Sequence, residues 1–238
     1  MKKTMLVGLL SGSFSLMGCA TAGLGSFGAD LGAQSAMGQT VRAPYNDVIS
    51  YYGYVSPGGQ PDEVREGKKM YYLYLWVPVV APEIGVRMVS PVKPHGMKPA
   101  ETDFVAADYA ANAESAEYFD TWVRVERCLA AISPEDITKP CAKWVNFGDN
   151  DDSSELPAQP SGSKYNSVLR LTSTPSDPLK ALARGMYRIA FTTYKVGEVK
   201  GTFLAQVGAP IKLPGTAIAR TPADLAAAVA KASATASK

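Results

Sequence analysis

The hydrophobic positions of the chain are grouped in short runs rather than spaced along a helical repeat. From about residue 41 onward these runs are rich in Val, Ile, Tyr and Thr, and Gly or Pro separates them. Such runs are typical of β-strands joined by turns. The pattern therefore predicts a mainly β domain with strands at residues 48–55, 69–80, 85–90, 121–129, 167–172, 186–194 and 201–207.

Two of these runs indicate how the strands are covered. Residues 71–80 are apolar at nearly every position, as in a central strand that is buried on both faces. Residues 186–194 alternate instead, so every second side chain is expected to face the core. Tyr187, Ile189 and Phe191 are predicted to point inward, and Arg188, Thr192 and Tyr194 outward or sideways. We expect an antiparallel β-sandwich.

Connections and helices are less strongly marked. The segment 195–200 predicts a hairpin turn between the last two strands, although Gly-Glu is a weaker turn signal than Asn-Gly. Residues 100–117 are rich in alanine and acidic residues, which predicts a short surface helix. Thr221 as a cap and Pro222 in the first turn predict a C-terminal helix that continues to Ala232. Being alanine-rich, this helix is expected to bury little.

The N-terminus has the features of an export signal. Lys2 and Lys3 precede a short apolar run, which is too short to span a bilayer permanently. The run ends in Leu-Met-Gly-Cys, and Cys19 in this setting matches the lipobox that is cleaved and lipidated in bacterial lipoproteins. The alternative is an ordinary signal peptide with a chance cysteine. Diacylation of Cys19 and acylation of its amine would provide the two or more chains that stable anchoring needs.

This interpretation divides the chain into a signal peptide at 1–18, a lipidated flexible tether at 19–40, a β-sandwich at 41–220 and a C-terminal helix and tail at 221–238. Removing the signal deletes two of the 24 basic residues and none of the 22 acidic ones, which leaves a formal net charge of zero. The mature chain has no cluster of Lys and Arg for multiple phosphate contacts. Nucleic-acid binding is therefore excluded.

Few residues are suited to catalysis. His95 is the single histidine and lies between Pro94 and Gly96 in an apparent loop, so multi-histidine metal sites are excluded. The sequence contains no nucleophile elbow, phosphate-binding glycine motif, dinucleotide fingerprint or CxxC pair. Hydrolysis by paired carboxylates stays open, because the separation of carboxylates cannot be read from sequence.

Cys128 and Cys141 are the only other thiols. In an exported protein such a pair often forms a disulfide. We expect a disulfide here, and the alternative is two buried reduced cysteines.

Residues 149–155 concentrate carboxylates and hydroxyls in a predicted loop. Ca²⁺ prefers oxygen ligands in flexible loops of this kind, but the glycine and glutamate of an EF-hand are absent here. Taken alone, such a run is more often a solvated acidic loop than a metal site.

Several segments together resemble the major surface lipoprotein family of pathogenic leptospires. They occur in the same order from about residue 43 to 208, at 48–55, 71–78, 85–91, 119–127, 164–167 and 184–201. The resemblance implies a jelly-roll-like β-sandwich with a few peripheral helices, calcium binding, and adhesion to extracellular-matrix proteins.

The resemblance also implies a ligand set. The family's Asp-Thr pair falls on Asp120 and Thr121, its two neighbouring aspartates on Asp151 and Asp152, and its tyrosine, which contributes a backbone carbonyl, on Tyr165. This chain departs from the family in three respects. Its acidic run is interrupted by Asn150, its cysteine pair has no recognised counterpart, and its C-terminal helix is rich in alanine.

The sequence thus predicts a non-catalytic, calcium-binding lipoprotein of the outer membrane that faces the cell surface or the periplasm. Its predicted partners are the membrane, through the lipid, and extracellular-matrix or surface proteins. Tyr51, Tyr52 and Tyr54 could form part of a binding surface, although packing in the core is the more usual role for most such residues. A structural coat role for the protein, a carboxylate-based polysaccharide hydrolase and a homo-oligomer are the alternatives left open.

Overall fold

The computed structural model describes residues 27–36, 39–174, 176–195 and 197–236. These ranges contain strands, two α-helices and two short 3₁₀ helices at Lys93–His95 and Pro134–Asp136. The helices are α1 (Ala107–Asn112) and α2 (Pro222–Ala236). The strands are β1 (Phe27–Ala36), β2 (Gln39–Val55), β3 (Glu63–Arg65), β4 (Lys68–Val77), β5 (Glu83–Val89), β6 (Phe104–Val105), β7 (Thr121–Cys128), β8 (Trp144–Asn150), β9 (Ser167–Thr172), β10 (Gly185–Thr193), β11 (Gly201–Ala209) and β12 (Ala217–Ala219).

The strands form two six-stranded sheets that pack as a sandwich. One sheet has the order β1-β2-β11-β5-β9, and β6 pairs with β2. The other has the order β12-β4-β10-β7-β8, and β3 pairs with β4. Neighbouring strands are antiparallel except for β2 and β6, which are parallel. The predicted mainly β, antiparallel sandwich is confirmed.

The main core lies between the two sheets. Tyr187, Ile189 and Phe191 of β10 are buried in it, as their alternation predicts. The rings of Phe191 and Phe203 have centroids 4.8 Å apart, and they come from strands of opposite sheets. Burial of large apolar side chains from both sheets is the dominant stabilising contribution to such a fold.

β4 is covered on both faces, as its uniformly apolar sequence predicts. Leu73 and Leu75 are buried in the main core, while Trp76 belongs to a second cluster on the opposite face. Helix α2 supplies Leu225 and Val229 to that second cluster. The strand is shorter than predicted, because it ends at Val77.

Not all of the side chains of β10 that were predicted to point outward are exposed to solvent. Tyr194 is exposed, but Arg188 and Thr192 are buried. The Arg188 guanidinium lies 4.1 Å from the Tyr72 ring centroid and 4.3 Å from that of Trp144. Its Nε atom donates to Glu126 Oε2 at 2.5 Å. A buried arginine is tolerated here because aromatic faces and a carboxylate compensate its charge.

The predicted hairpin at residues 195–200 is wrong. β10 pairs with β4 and β7, whereas β11 pairs with β2 and β5, so this connection carries the chain from one sheet to the other. The connection ends at Gly201, the first residue of β11. Glycine is required there, because φ is +94° and a Cβ atom would lie 1.9 Å from the Glu117 carbonyl oxygen. Alternation along two consecutive strands identifies them as strands but does not identify their partners.

Both predicted helices are present, but α1 is shorter than the sequence predicted. Only Ala107–Asn112 is α-helical within the predicted 100–117 segment. At the C-terminus, Thr221 caps the helix, and its Oγ1 accepts a hydrogen bond from the Asp224 N–H at 3.1 Å. The helix packs on the sheet through Leu225 and Val229, which are one turn apart and are its buried residues among the positions described, so it buries little, as expected.

Replacing Thr221 with alanine is expected to lower the free energy of unfolding by about 1 kcal/mol, because the first turn of α2 loses its side-chain acceptor. Urea unfolding monitored by circular dichroism measures the change. Thr138→Ala is the matched control, since Thr138 is exposed and lies outside the helices and strands. An equal effect of both substitutions would show that the cap contributes nothing specific.

The predicted signal peptide, Cys19 and the first part of the predicted tether lie outside the described residues. Strand pairing begins earlier than the sequence indicates, since β1 and the start of β2 fall within the segment predicted as a tether. The small residues of β1 give little strand signal, because strand propensity depends on bulky side chains. Across the described ranges, the structure contains no helix with the length and hydrophobicity needed to cross a membrane.

Candidate metal centre

The predicted metal ligands lie at strand ends that meet at one end of the sandwich. Asp120 immediately precedes β7, and Asp151 and Asp152 immediately follow β8. β7 and β8 are antiparallel, with Val123 opposite Asn150, so the start of one strand adjoins the end of the other. The topology thus brings together carboxylates that are about thirty residues apart in the chain.

Tyr165 approaches the same place from the opposite sheet, two residues before β9. Its carbonyl oxygen accepts the Thr121 N–H at 2.9 Å and lies 3.1 Å from Thr121 Oγ1. The Thr121 hydroxyl also lies 2.7 Å from the hydroxyl of Ser167. These contacts hold Thr121 and the Tyr165 carbonyl side by side, with Asp120 next to them in the chain.

Asp120 has the environment of a carboxylate that lacks a counter-charge. Its Oδ1 atom is buried and has no hydrogen-bond partner among the described residues. Burial raises the pKa of Asp120 to about 6, and repulsion from Asp152 and Asp151 contributes further, while Lys195 and Lys68 oppose the rise. A bound cation would supply the missing positive charge.

The acidic loop, residues 149–155, was predicted to lie entirely outside the strands, but β8 extends through Asn150 and so includes Asp149. The segment contains two kinds of carboxylate. Asp149 pairs with Arg124 at 3.4 Å, and Glu155 Oε1 accepts a hydrogen bond from Arg170 at 3.0 Å. Asp151 and Asp152 have no ion pair in the part of the chain that the structure describes. Burial and the Asp151 carboxylate raise the pKa of Asp152. The two residues that the resemblance implies as ligands are therefore the two that arginine does not neutralise.

The three aspartates repel one another but do not form a closed ligand shell. Within the described ranges, no three His, Cys, Asp or Glu side chains are grouped closely enough to hold a metal ion. Ca²⁺ requires roughly six to eight oxygen ligands at about 2.3–2.6 Å. A cation at this place would thus need the Asp151–Asp152 segment to draw closer to Asp120.

Two buried amides that the sequence did not single out support the site. Gln159 Nε2 donates to the carbonyl of Phe119 at 2.7 Å and to that of Ser90 at 2.9 Å. Asn166 Nδ2 donates to the Pro157 carbonyl at 2.8 Å. These bonds fix the chain next to Asp120 and Tyr165. An isolated Gln or Asn in a loop gives no sequence signal for such a role.

The remaining candidate residues lie apart from this chemistry. Cys128 and Cys141 form a disulfide, with Cα atoms 5.9 Å apart, which confirms the expected pairing. His95 lies on a 3₁₀ helix, where burial lowers its pKa, and its buried Nε2 has no hydrogen-bond partner among the described residues.

The fold and the site together define a β-sandwich protein with an acidic centre at one end of its sheets. The chain belongs to the Lipl32 family, surface lipoproteins of the Spirochaetales order, whose sequence profile matches residues 39–218. The predicted family resemblance is thereby confirmed. The family is one of surface lipoproteins rather than a known enzyme family, and membership indicates a membrane-associated location at the cell surface. No curated protein sequence matches the chain significantly.

Proposed function

We propose that this protein is a calcium-binding, non-catalytic surface lipoprotein in which the ion joins the acidic loop to the ends of the two sheets. The observation that carries the proposal is the buried Asp120 Oδ1, which has no partner among the described residues and faces the repulsion of Asp151 and Asp152. A divalent cation among these groups would compensate two of the three negative charges and relieve most of their mutual repulsion. The ligand set would be completed by Thr121 and the Tyr165 carbonyl.

The chemistry of these groups favours calcium over a transition metal. All the ligand atoms are oxygens, and the site includes no imidazole or thiolate, which softer metals prefer. Asp151 and Asp152 lie in the loop after β8, and Ca²⁺ tolerates irregular ligand geometry better than Mg²⁺ does. Binding would stabilise the folded state by mass action, by roughly 2.7 kcal/mol at a calcium concentration about 100 times the dissociation constant.

The direct test compares two double variants of the acidic loop. Asp151→Asn/Asp152→Asn removes the two carboxylates without ion pairs, and Asp149→Asn/Glu155→Gln removes the two that pair with arginine. The change in net charge is the same in both. Calcium should raise the thermal midpoint of the wild type and of the second variant by about 5–10 °C, and leave the first unchanged. An equal response of both variants would contradict the assignment.

The anchor is the second part of the proposal. Lipid attached to Cys19 would hold the domain at the outer membrane, because two or more acyl chains give stable anchoring. Cys19→Ala should abolish incorporation of labelled palmitate and move the protein from the detergent phase to the aqueous phase in Triton X-114 partitioning. Thr138→Ala, at an exposed position that leaves Cys19 and the disulfide in place, is the control. Labelled palmitate retained in Cys19→Ala would refute attachment at this residue.

Adhesion to extracellular-matrix-type proteins is proposed on the family resemblance. A calcium-stabilised loop would present one arrangement of the sandwich end to a partner. Adhesion is supported if binding to matrix proteins is saturable and the soluble domain competes for it. If modest salt or a blocking protein abolishes binding, the alternative is favoured, namely a coat protein in which calcium only stabilises the fold.

A further inference from the structure

A cavity of about 190 Å³ shares no lining residue with the acidic centre. Its walls come from β2, β4 and β11, with contributions from α1 and from the residue that follows β12. Its lining is rich in aromatic rings, and two charged side chains join them. The residues that matter for its chemistry are Tyr51, Tyr54, Tyr71, Phe203, Asp108 and Arg220.

The aromatic walls are held in fixed positions. The Tyr51 ring stacks on Phe104 with centroids 4.8 Å apart and lies 6.0 Å from Phe203. Gly53 lies beneath the rings of Tyr51 and Phe203, and a Cβ atom on Gly53 would be 2.4 Å from the Phe203 ring and 2.8 Å from the Tyr51 ring. Only glycine allows both rings to pack so closely over β2. The cavity wall is thus set by the sequence rather than left by loose packing.

One polar group on this wall, the Tyr51 hydroxyl, is uncommitted among the residues that the structure describes. Tyr51 is only 4% exposed, yet its hydroxyl makes no hydrogen bond to any described residue. Tyr71, in contrast, donates to the Gly59 carbonyl at 2.9 Å. Because this hydroxyl is not among the buried side-chain atoms that lack a partner, it contacts the open space of the cavity, where a guest can bind it.

The charges around the cavity are mostly negative. Burial raises the pKa of Tyr51 to about 12, and the carboxylates of Asp108 and Asp224 add to the rise. Arg220 is the positive group of the lining, and it is already paired with Asp62 at 2.7 Å. Its guanidinium lies 6.0 Å from the Tyr71 ring centroid, so this aromatic surface already contacts one cation. The surplus of carboxylates therefore disfavours an anionic guest.

We propose that this cavity binds a substituted ammonium group, of which the trimethylammonium of choline is the simplest biological example. Aromatic rings attract such cations through their quadrupoles, and a nearby carboxylate adds Coulombic attraction without requiring an N–H donor. Tyr54 and Asp108 provide the ring and the charge that are least involved in the core. Tyr51 supplies a hydroxyl to a polar substituent of the ligand, such as the choline alcohol.

The test is a calorimetric titration of the purified full-length protein in detergent, with chelator present so that the calcium site is silent. Tetramethylammonium and choline should bind saturably in the millimolar range. The neutral isostere 3,3-dimethylbutanol should bind about tenfold more weakly. No saturable heat up to about 100 mM, or equal binding of the neutral isostere, would overturn the proposal.

Variants assign the binding to this cavity. Tyr54→Ala and Asp108→Asn should each weaken tetramethylammonium binding by about tenfold. Tyr194→Ala and Glu101→Gln are the matched controls, since both residues are exposed and lie outside the cavity. Asp108 is exposed, so its substitution tests the site even if Tyr54→Ala unfolds the domain. Unchanged binding in Asp108→Asn, with a normal thermal midpoint, would overturn the proposal.

Glycerophosphocholine identifies the source of the ammonium group. Tighter binding of this soluble headgroup than of choline assigns the cavity to a phosphocholine lipid. Tighter binding of choline assigns it to a free ligand.

Discussion

Replacing Cys128 and Cys141 with serine should lower the free energy of unfolding by about 3 kcal/mol. The disulfide links residues thirteen apart and so restricts the unfolded chain. It joins the end of β7 to the connection that leads into β8, where Cys128 is buried beside Ile137 and Met186. For a domain of this size the loss corresponds to a fall in thermal midpoint of roughly 6–12 °C.

Thermal unfolding with and without a reductant measures this effect. The reductant should lower the midpoint of the wild type to nearly that of the variant and leave the double variant unchanged. Detection of two free thiols in the native, air-exposed protein would show that the bond does not form.

Asp120→Asn should stabilise the calcium-free protein at pH 7 and at the same time abolish its response to calcium. The pKa of Asp120 is raised from 3.8 to about 6, so the native state binds this proton more tightly than the unfolded chain does. The wild type therefore loses stability as the pH rises from about 4 to 6, and the cost is fully present at pH 7. The gain from asparagine is on the order of 1 kcal/mol, because solvent screens a half-exposed group.

Urea unfolding in chelator at pH 4 and pH 7 separates the two effects. The variant should exceed the wild type only at pH 7, and added calcium should then reverse the order. Asp136→Asn is a suitable contrast, because its hydrogen bonds to Lys139 and Ser133 lower the pKa of Asp136 to about 2 and its removal should not stabilise the protein. Destabilisation by Asp120→Asn in chelator would show that the carboxylate has a native partner.

The sequence predicted the central strands well and their partners poorly. β4 and β10 were recognised because their side chains are buried on both faces or alternate clearly. β8 was missed, since only part of its surface is covered and its burial is intermediate throughout most of its length. The hairpin at 195–200 failed for a different reason: the partner of a strand depends on which sheet buries its apolar side, and periodicity carries no such information.

The candidate site shows the same division. The resemblance selected Asp120, Asp151 and Asp152, and antiparallel pairing of β7 with β8 places them near one another. Which acidic residues arginine neutralises depends on contacts across strands, and no local pattern revealed the pairs that Asp149 and Glu155 form. The roles of the buried Gln159 and Asn166 could not be predicted either, because the residues next to a loop amide in sequence do not show which backbone groups it will bond to.

Isothermal titration of the purified protein with calcium measures directly whether one ion binds between Asp120 and the Asp151–Asp152 segment. We expect one ion per chain, with heat that disappears in Asp151→Asn/Asp152→Asn and persists in Asp149→Asn/Glu155→Gln. No binding at millimolar calcium, or equal binding by both double variants, would contradict this expectation and leave the acidic loop as a solvated surface.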